Sequence, residues 1–141
     1  MSQTGLPTGS EPDNEVQPRF YHDIFDFHVD VERRLVMVKF GARVAADEIA
    51  GYVKELRSHP AFQPDFSEIV DLRETIELDL QAKDFLRLAD KVDPFSPQAK
   101  RAFIVQTRVQ NHAARMHRIL RGATHIAVFE SLEEAEAWIG S

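Results

Sequence analysis

Phe66-Ser67-Glu68-Ile69-Val70-Asp71-Leu72-Arg73 is the stretch on which the reading of the whole chain turns. Phe66, Ile69, Val70 and Leu72 suit a strand buried on both faces, while Asp71, Arg73 and Glu74 gather where that strand emerges. Helical patterns flank it on both sides, so it reads as an inner strand of a mixed sheet. In open α/β sheets, ligands favour the carboxyl ends of parallel strands, where loops diverge and helix N-termini face the crevice. The rim at Asp71 is therefore the first place to look for a site.

Toward the N-terminus, Ala45 to about Ser58 has helical periodicity, with Ile49, Tyr52, Val53 and Leu56 as the inner stripe and Asp47 and Glu48 in the first turn. His59-Pro60 ends it, which makes His59 a terminal residue rather than a ligand. Further back, Phe20 to Phe27 and Leu35 to Phe40 are strand-like and are separated by the polar Asp30 to Arg34, as in a hairpin at a sheet edge. Phe25 and Phe27 share one face, as do Val36, Val38 and Phe40, which leaves Met37 and Lys39 on the other. His22 and His28 read as ordinary strand histidines. Residues 1–18, with Pro7, Gly9, Pro12, Asp13 and Pro18, read as a disordered tail ahead of a single domain at 19–141.

Toward the C-terminus, Arg73 to Asp79 reads as a charged connection, and Leu80 to Val92 as a helix N-capped by Asp79, with Phe85, Leu86, Leu88 and Ala89 toward the core. After the turn Asp93-Pro94-Phe95-Ser96-Pro97 comes an inner strand, Ala102 to Val105. A helix follows from Val109 to Leu120, carrying Met116, Ile119 and Leu120 toward the sheet and ending at Gly122. Ile126 to Phe129 is the last strand. The last helix is capped by Ser131 and turns Leu132, Ala135, Trp138 and Ile139 inward. The expected architecture is α/β: an N-terminal β-hairpin followed by αβαβαβα, with right-handed crossovers and helices packed on a mixed sheet.

Composition bounds the function. The chain has 141 residues, 43% hydrophobic and 28% charged, which describes one soluble domain with a sizeable core. A net charge of -6 argues against a nucleic-acid surface. The absence of cysteine removes thiolate metal sites, disulfides and cysteine nucleophiles. Without a signal-peptide pattern or a membrane-length apolar run, the expectation is cytoplasmic residence and no membrane insertion.

Two clusters are candidate sites. Arg108, Asn111, His112, Arg115, His117, Arg118 and Arg121 group on the helix that starts at about Val109; Asn111, Arg115 and Arg118 follow helical spacing and Arg108 lies one turn before Asn111, a ridge of donors for an anion or an acidic partner. The second cluster joins Asp71, Arg73 and Glu74 to Gln106, Thr107 and Arg108 across the rim, with Asp71 as acceptor or base and Arg108 as anion anchor. His112 and His117 stand about 140° apart on a helix and make no metal pair, so no metal and no cofactor is expected. No catalytic residue is assigned, because no Ser-His-Asp order, paired-carboxylate spacing or glycine-rich loop specifies a reaction. Phe95 and the hairpin edge are the candidate surface for a homodimer.

The hairpin, the helix holding Tyr52 and Leu56, Ile69-Val70-Asp71-Leu72-Arg73, Ala102-Phe103-Ile104-Val105, and Val128-Phe129-Glu130-Ser131 running on to Trp138-Ile139 together resemble the bacterial STAS-like domains of the SpoIIAA-like fold, especially their uncharacterised stand-alone group. The resemblance spans about residues 20 to 140. It implies a domain used for protein association or small-ligand sensing. In the anti-anti-sigma relatives it implies a switch worked by phosphorylating a Ser or Thr at the start of the helix after the central strand. Here that stretch is Ile76-Glu77-Leu78-Asp79-Leu80-Gln81-Ala82, where no hydroxyl lies beside Asp79 and Thr75 precedes it. The expectation is a noncatalytic regulatory or protein-interaction domain lacking that switch. The alternative is a binder of a small anionic or lipid-like ligand, or an enzyme, with its pocket near Asp71 and Arg108.

Overall fold

The computed structural model describes residues 25–88, 93–121 and 125–141. The 1–18 tail, His22, Ala89 and the helix end at Gly122 lie outside the described residues. Strand β1 (Phe25–Asp30) turns back into β2 (Leu35–Phe40), and β3 (Arg43–Ala45) leads directly into α1 (Ala46–Arg57). The chain continues through β4 (Ser67–Asp71), β5 (Glu77–Asp79), α2 (Ala82–Arg87), β6 (Arg101–Ile104), α3 (Arg108–Arg121), β7 (Ile126–Phe129) and α4 (Leu132–Ile139). The main sheet has the order β1-β2-β4-β6-β7, antiparallel between β1 and β2 and parallel elsewhere. The stretch Ser67–Asp71 is thus its middle strand, as its two-sided apolar character requires.

Alternation along the strands separates two cores. Val36, Val38, Phe40, Val70 and Phe103 face α1 and α3 together with Phe25, Tyr52, Val53 and Leu56. Leu35, Ile69, Ala102 and Ile104 face the other way, where Ala135, Leu132, Trp138 and Ile139 of α4 cover them. Ser131 Oγ caps α4 by accepting from Glu134 N–H at 3.2 Å. At the end of α1, His59 Nδ1 accepts from Ala61 N–H at 3.1 Å, so this histidine serves the helix terminus.

Several expectations are corrected. The charged connection after β4 contains β5, which pairs in parallel with β3 to make a second, two-stranded sheet. Asp79 does not cap the next helix: it belongs to β5 and pairs with Arg43 at 2.6 Å, and Gln81 is the N-cap of α2. Leu86 is 56% and Ile119 69% exposed, so neither faces the core. On α3 the buried stripe is Gln110, Ala113 and Ala114, with His117 half-buried one turn on. The spacing 110, 113, 114, 117 is a proper helical face, hidden from a hydropathy reading because its residues are small or polar. Phe95 is buried, not a surface anchor: its ring lies under the Arg101 guanidinium and packs edge to face with Phe62.

Gly51 sits inside α1, where a Cβ would meet Phe25 Cε2 at 3.6 Å, an ordinary contact. Gly51→Ala is therefore expected to stabilise the fold by about 0.5–1 kcal/mol through backbone entropy. A urea melt should show a higher midpoint at unchanged slope, and a lower midpoint would mean that α1 packs more tightly on β1 than this distance indicates.

Candidate functional site

Strand register builds the site. Val36, Glu68, Arg101 and Ile126 stand in one row across β2, β4, β6 and β7, on the face that α1 and α3 cover. Glu68 and Arg101 are thus direct cross-strand neighbours in the core, with Glu68 only 2% and Arg101 5% exposed. Arg101 Nε donates to Glu68 Oε1 at 2.9 Å, and its Nη1 donates to Asp93 Oδ2 at 2.7 Å. Tyr52 of α1 donates its hydroxyl to Glu68 Oε2 at 2.6 Å, and His117 Nε2 of α3 lies 3.1 Å from Asp93 Oδ2. The guanidinium also stacks on Phe95, 4.4 Å from the ring centroid, and Phe95 N–H donates to Asp93 Oδ1 at 3.0 Å. Two elements of sheet, two helices and the loop before β6 therefore meet at one cluster of charge.

The electrostatics follow from that arrangement. Burial opposes the charge on Asp93, but His117 and Arg101 outweigh it and hold the carboxyl well below the usual carboxylate range. Burial likewise opposes the charge on Arg101, and Glu68 and Asp93 overcome it, keeping the guanidinium charged. Burial, with the neighbouring Glu68, pushes the Tyr52 hydroxyl well above its ordinary value, so it stays a proton donor.

Beside this cluster lies a cavity of about 100 Å³, partly open to solvent. Its walls are Val44 and Leu78 from the small sheet, Val70 and Phe103 from the main sheet, Leu72 just after β4, Phe85 and Leu88 around α2, and Ala113 of α3. Ala113 of α3 offers only a methyl group to this space, and the bonded polar groups Glu68, Asp93, Arg101 and His117 line one side of it.

The predicted rim is arranged differently from this cavity. Asp71 is clamped by Arg73, whose Nε and Nη2 donate to its two oxygens at 3.0 and 2.9 Å. Burial raises the Asp71 pKa, but the bonds from Arg73 outweigh it and the net shift is downward. Glu74 pairs with Lys39 at 2.6 Å. Asp71 and Arg108 are not brought together: Arg108 is exposed, and among the described residues no ion pair joins them. The residue that knits this rim is Gln110, 1% exposed. Its Oε1 accepts from Gln106 N–H at 2.7 Å, and its Nε2 donates to Thr75 O at 2.6 Å. Thr75 is buried and donates its own hydroxyl to Gly41 O at 2.9 Å, so the hydroxyl nearest the expected switch position is occupied inside the fold. Asp71 instead borders a more open hollow of about 230 Å³ on the α4 side, with Asp26, His28, Met37, Lys39 and Leu132.

The donor ridge is on the outer side of α3. Arg108, His112, Arg115 and Arg118 are exposed, Asn111 is half-buried, and Arg115 Nε donates to Asn111 Oδ1 at 3.2 Å. Glu68, Arg101, Asp93 and Gln110 escaped the sequence reading because buried charge looks like surface charge in a sequence. The one available signal was Glu68 inside an otherwise apolar inner strand.

The described residues contain no group of side chains placed to hold a metal ion, and no helix among them is long and apolar enough to cross a membrane. A five-stranded mixed sheet with this order, a leading hairpin and helices on both faces is the SpoIIAA-like fold. The chain superposes on an uncharacterised DUF3478-family protein with a SpoIIAA-like fold from Shewanella loihica PV-4, with a TM-score of 0.60 and 20% identity, covering 82% of this chain and 94% of that one. No family model and no curated protein matches the sequence.

The depressed Asp93 carboxyl fixes the sign of a pH effect. Its folded pKa lies below the unfolded value of about 3.9, so the stability it contributes is complete above that value and is lost as pH falls toward the folded one. Unfolding free energy should decline from about pH 5 to pH 2, with Asp71 adding to the slope. Asp93→Asn should flatten the decline and cost about 3–5 kcal/mol at neutral pH by stranding part of the Arg101 charge. Urea melts across a pH series test this, and an unchanged slope in the variant would remove Asp93 from the network.

Proposed function

We propose that the protein is a noncatalytic regulatory binding domain that holds a small, largely apolar ligand in the cavity between the sheet and α1, α2 and α3. The observation that carries this reading is the cavity itself, about 100 Å³ of mostly apolar wall with a few convergent polar groups on one side. The polar groups argue for binding over catalysis. Glu68, Asp93, Arg101 and Tyr52 are bonded to one another, and a carboxyl held as low as that of Asp93 is a poor general base near neutrality. The volume approaches the roughly 150 Å³ at which an engineered apolar cavity admits benzene, so the ligand, or the end of a longer one, is of that scale.

A second reading is favoured by the outer side of α3. Exposed Arg108, His112, Arg115 and Arg118, next to exposed Val109 and Ile119, present a cationic and partly apolar surface suited to an acidic protein partner. The two readings are compatible, because the opposite side of the same helix carries Ala113 and His117 into the cavity wall.

Benzene titration followed by amide NMR tests the first reading. Leu72, Phe103 and Ala113 are expected to shift together and saturably, and Ala113→Leu, which fills the space, should abolish the shifts while the remaining spectrum stays folded. Shifts confined to other residues, or unchanged in the variant, would contradict it.

A further inference from the structure

Strand β1 ends the main sheet, and among the described residues only β2 pairs with it. Ser67 N–H donates to Arg34 O at 2.9 Å, so in β2 Val36, Val38 and Phe40 turn their main-chain groups to β4, while Leu35, Met37 and Lys39 turn theirs to β1. The register partners of those three, Asp30, His28 and Asp26, bond back to them. Phe25, Phe27 and Val29 therefore direct their N–H and C=O groups outward, a template for a further strand. Side chains alternate along this edge. Phe25, Phe27 and Val29 stand on the α1 side, with Phe27 and Val29 half-buried, and Asp26 and His28 stand exposed on the α4 side. Of the two elements expected to form a homodimer, Phe95 is buried and this edge remains.

We propose that β1 pairs antiparallel with β1 of a second copy of this chain, about a two-fold axis at Phe27, and joins the two main sheets into one. In that register Phe25 of each copy faces Val29 of the other, and Asp26 of each faces His28 of the other. The Phe27 pair and both Phe25–Val29 pairs are then the hydrogen-bonded ones, and they use every outward N–H and C=O of these three residues. The Asp26–His28 pairs fall at the positions without ladder bonds, where facing side chains approach most closely, and there a carboxylate meets a donor. On the opposite side the pairing covers the remaining exposed surface of Phe27 and Val29. The neighbouring registers that keep the two faces apart are unfavourable. Centred on His28, the pairing sets Asp26 against Asp30, and centred on Asp26 it sets that carboxylate against its own copy. Charge complementarity thus selects both the register and the occupant, because the strand that answers Asp26 and His28 at this spacing is β1 itself. The association is independent of the cavity and of any ligand in it.

Sedimentation equilibrium of the full chain from micromolar to millimolar concentration, with amide hydrogen exchange at both ends of the range, tests this. The mass is expected to rise from one chain to two, and the amides of Phe25, Phe27 and Val29 to exchange freely in the dilute sample and slowly in the concentrated one. Those of Asp26, His28 and Asp30, bonded to β2, should be protected in both. Val29→Pro removes a donor that only the second copy uses, so it should weaken the dimer by about tenfold or more while the β1–β2 hairpin survives. Asp26→Lys should weaken it, and Asp26→Lys combined with His28→Asp, which restores opposite charges across the axis, should recover it. A single-chain mass at every concentration overturns the proposal. So does a dimer whose Phe25, Phe27 and Val29 amides stay freely exchanging, or one that Asp26→Lys strengthens, the result expected if Asp26 faced Asp30. If a variant does not fold, mass and exchange in the native sequence decide alone.

Discussion

A guanidinium cannot be taken out of water unless carboxylates go with it, and Arg101 is taken out of water at the centre of this fold. Glu68 meets it from the neighbouring strand, Asp93 from the loop that leads into β6, and Tyr52 and His117 complete the cluster from α1 and α3. Each partner belongs to a different element, so the network specifies strand register, loop path and the seating of two helices at once. A slip of one residue in β6 would turn Arg101 to the α4 side, where Leu35, Ile69, Ala102 and Ile104 offer nothing to receive it. The cluster is a poor investment if stability is its purpose, because well-packed apolar residues in place of a buried ion pair are often neutral or stabilising. Its position on the wall of a cavity supplies a reason for keeping charge there.

The two sides of the sheet divide the work. On the α4 side, Ala135 and Trp138 close over a small apolar cluster, and Phe129 and Trp138 pack with ring centroids 5.7 Å apart. On the other side, aromatic residues concentrate toward β1 and α1, where Phe25, Phe27, Phe40 and Tyr52 pack edge to face or tilted. That packing thins out toward α3, whose inner residue Ala113 leaves the cavity unfilled. Rigid packing at one end and space at the other is what the proposed binding role requires.

The path of the main sheet was legible in the sequence because its strands carry strong periodicity. Val36, Val38 and Phe40 alternate cleanly, Ile69 and Val70 bury both faces of β4, and the Ser131 cap marks the start of α4. The small sheet was not legible, since three-residue strands such as Arg43–Ala45 and Glu77–Asp79 have too few residues to show a pattern and are held by pairing with each other. The buried charge cluster was hidden for a related reason. Sequence reasoning assigns charge to strand ends, which led to Asp71 and Arg73, whereas the deeply buried charges are Glu68 within β4 and Arg101 at the start of β6. Only the pairing of those two strands reveals that the two charges neutralise each other. The likeness to the SpoIIAA-like fold, read from the order of elements, holds at the level of the backbone.

The central claim is that a stable cavity, walled by apolar side chains and bordered by the neutralised Arg101, lies between the sheet and α3. A crystal structure of the protein pressurised with xenon measures this directly, since xenon enters apolar cavities without needing any polar partner. The account predicts xenon density between Phe103, Leu72 and Ala113, with Arg101 bonded to both Glu68 and Asp93. Collapse of α3 onto the sheet with no xenon at that place, or an Arg101 side chain turned out to solvent, would contradict it.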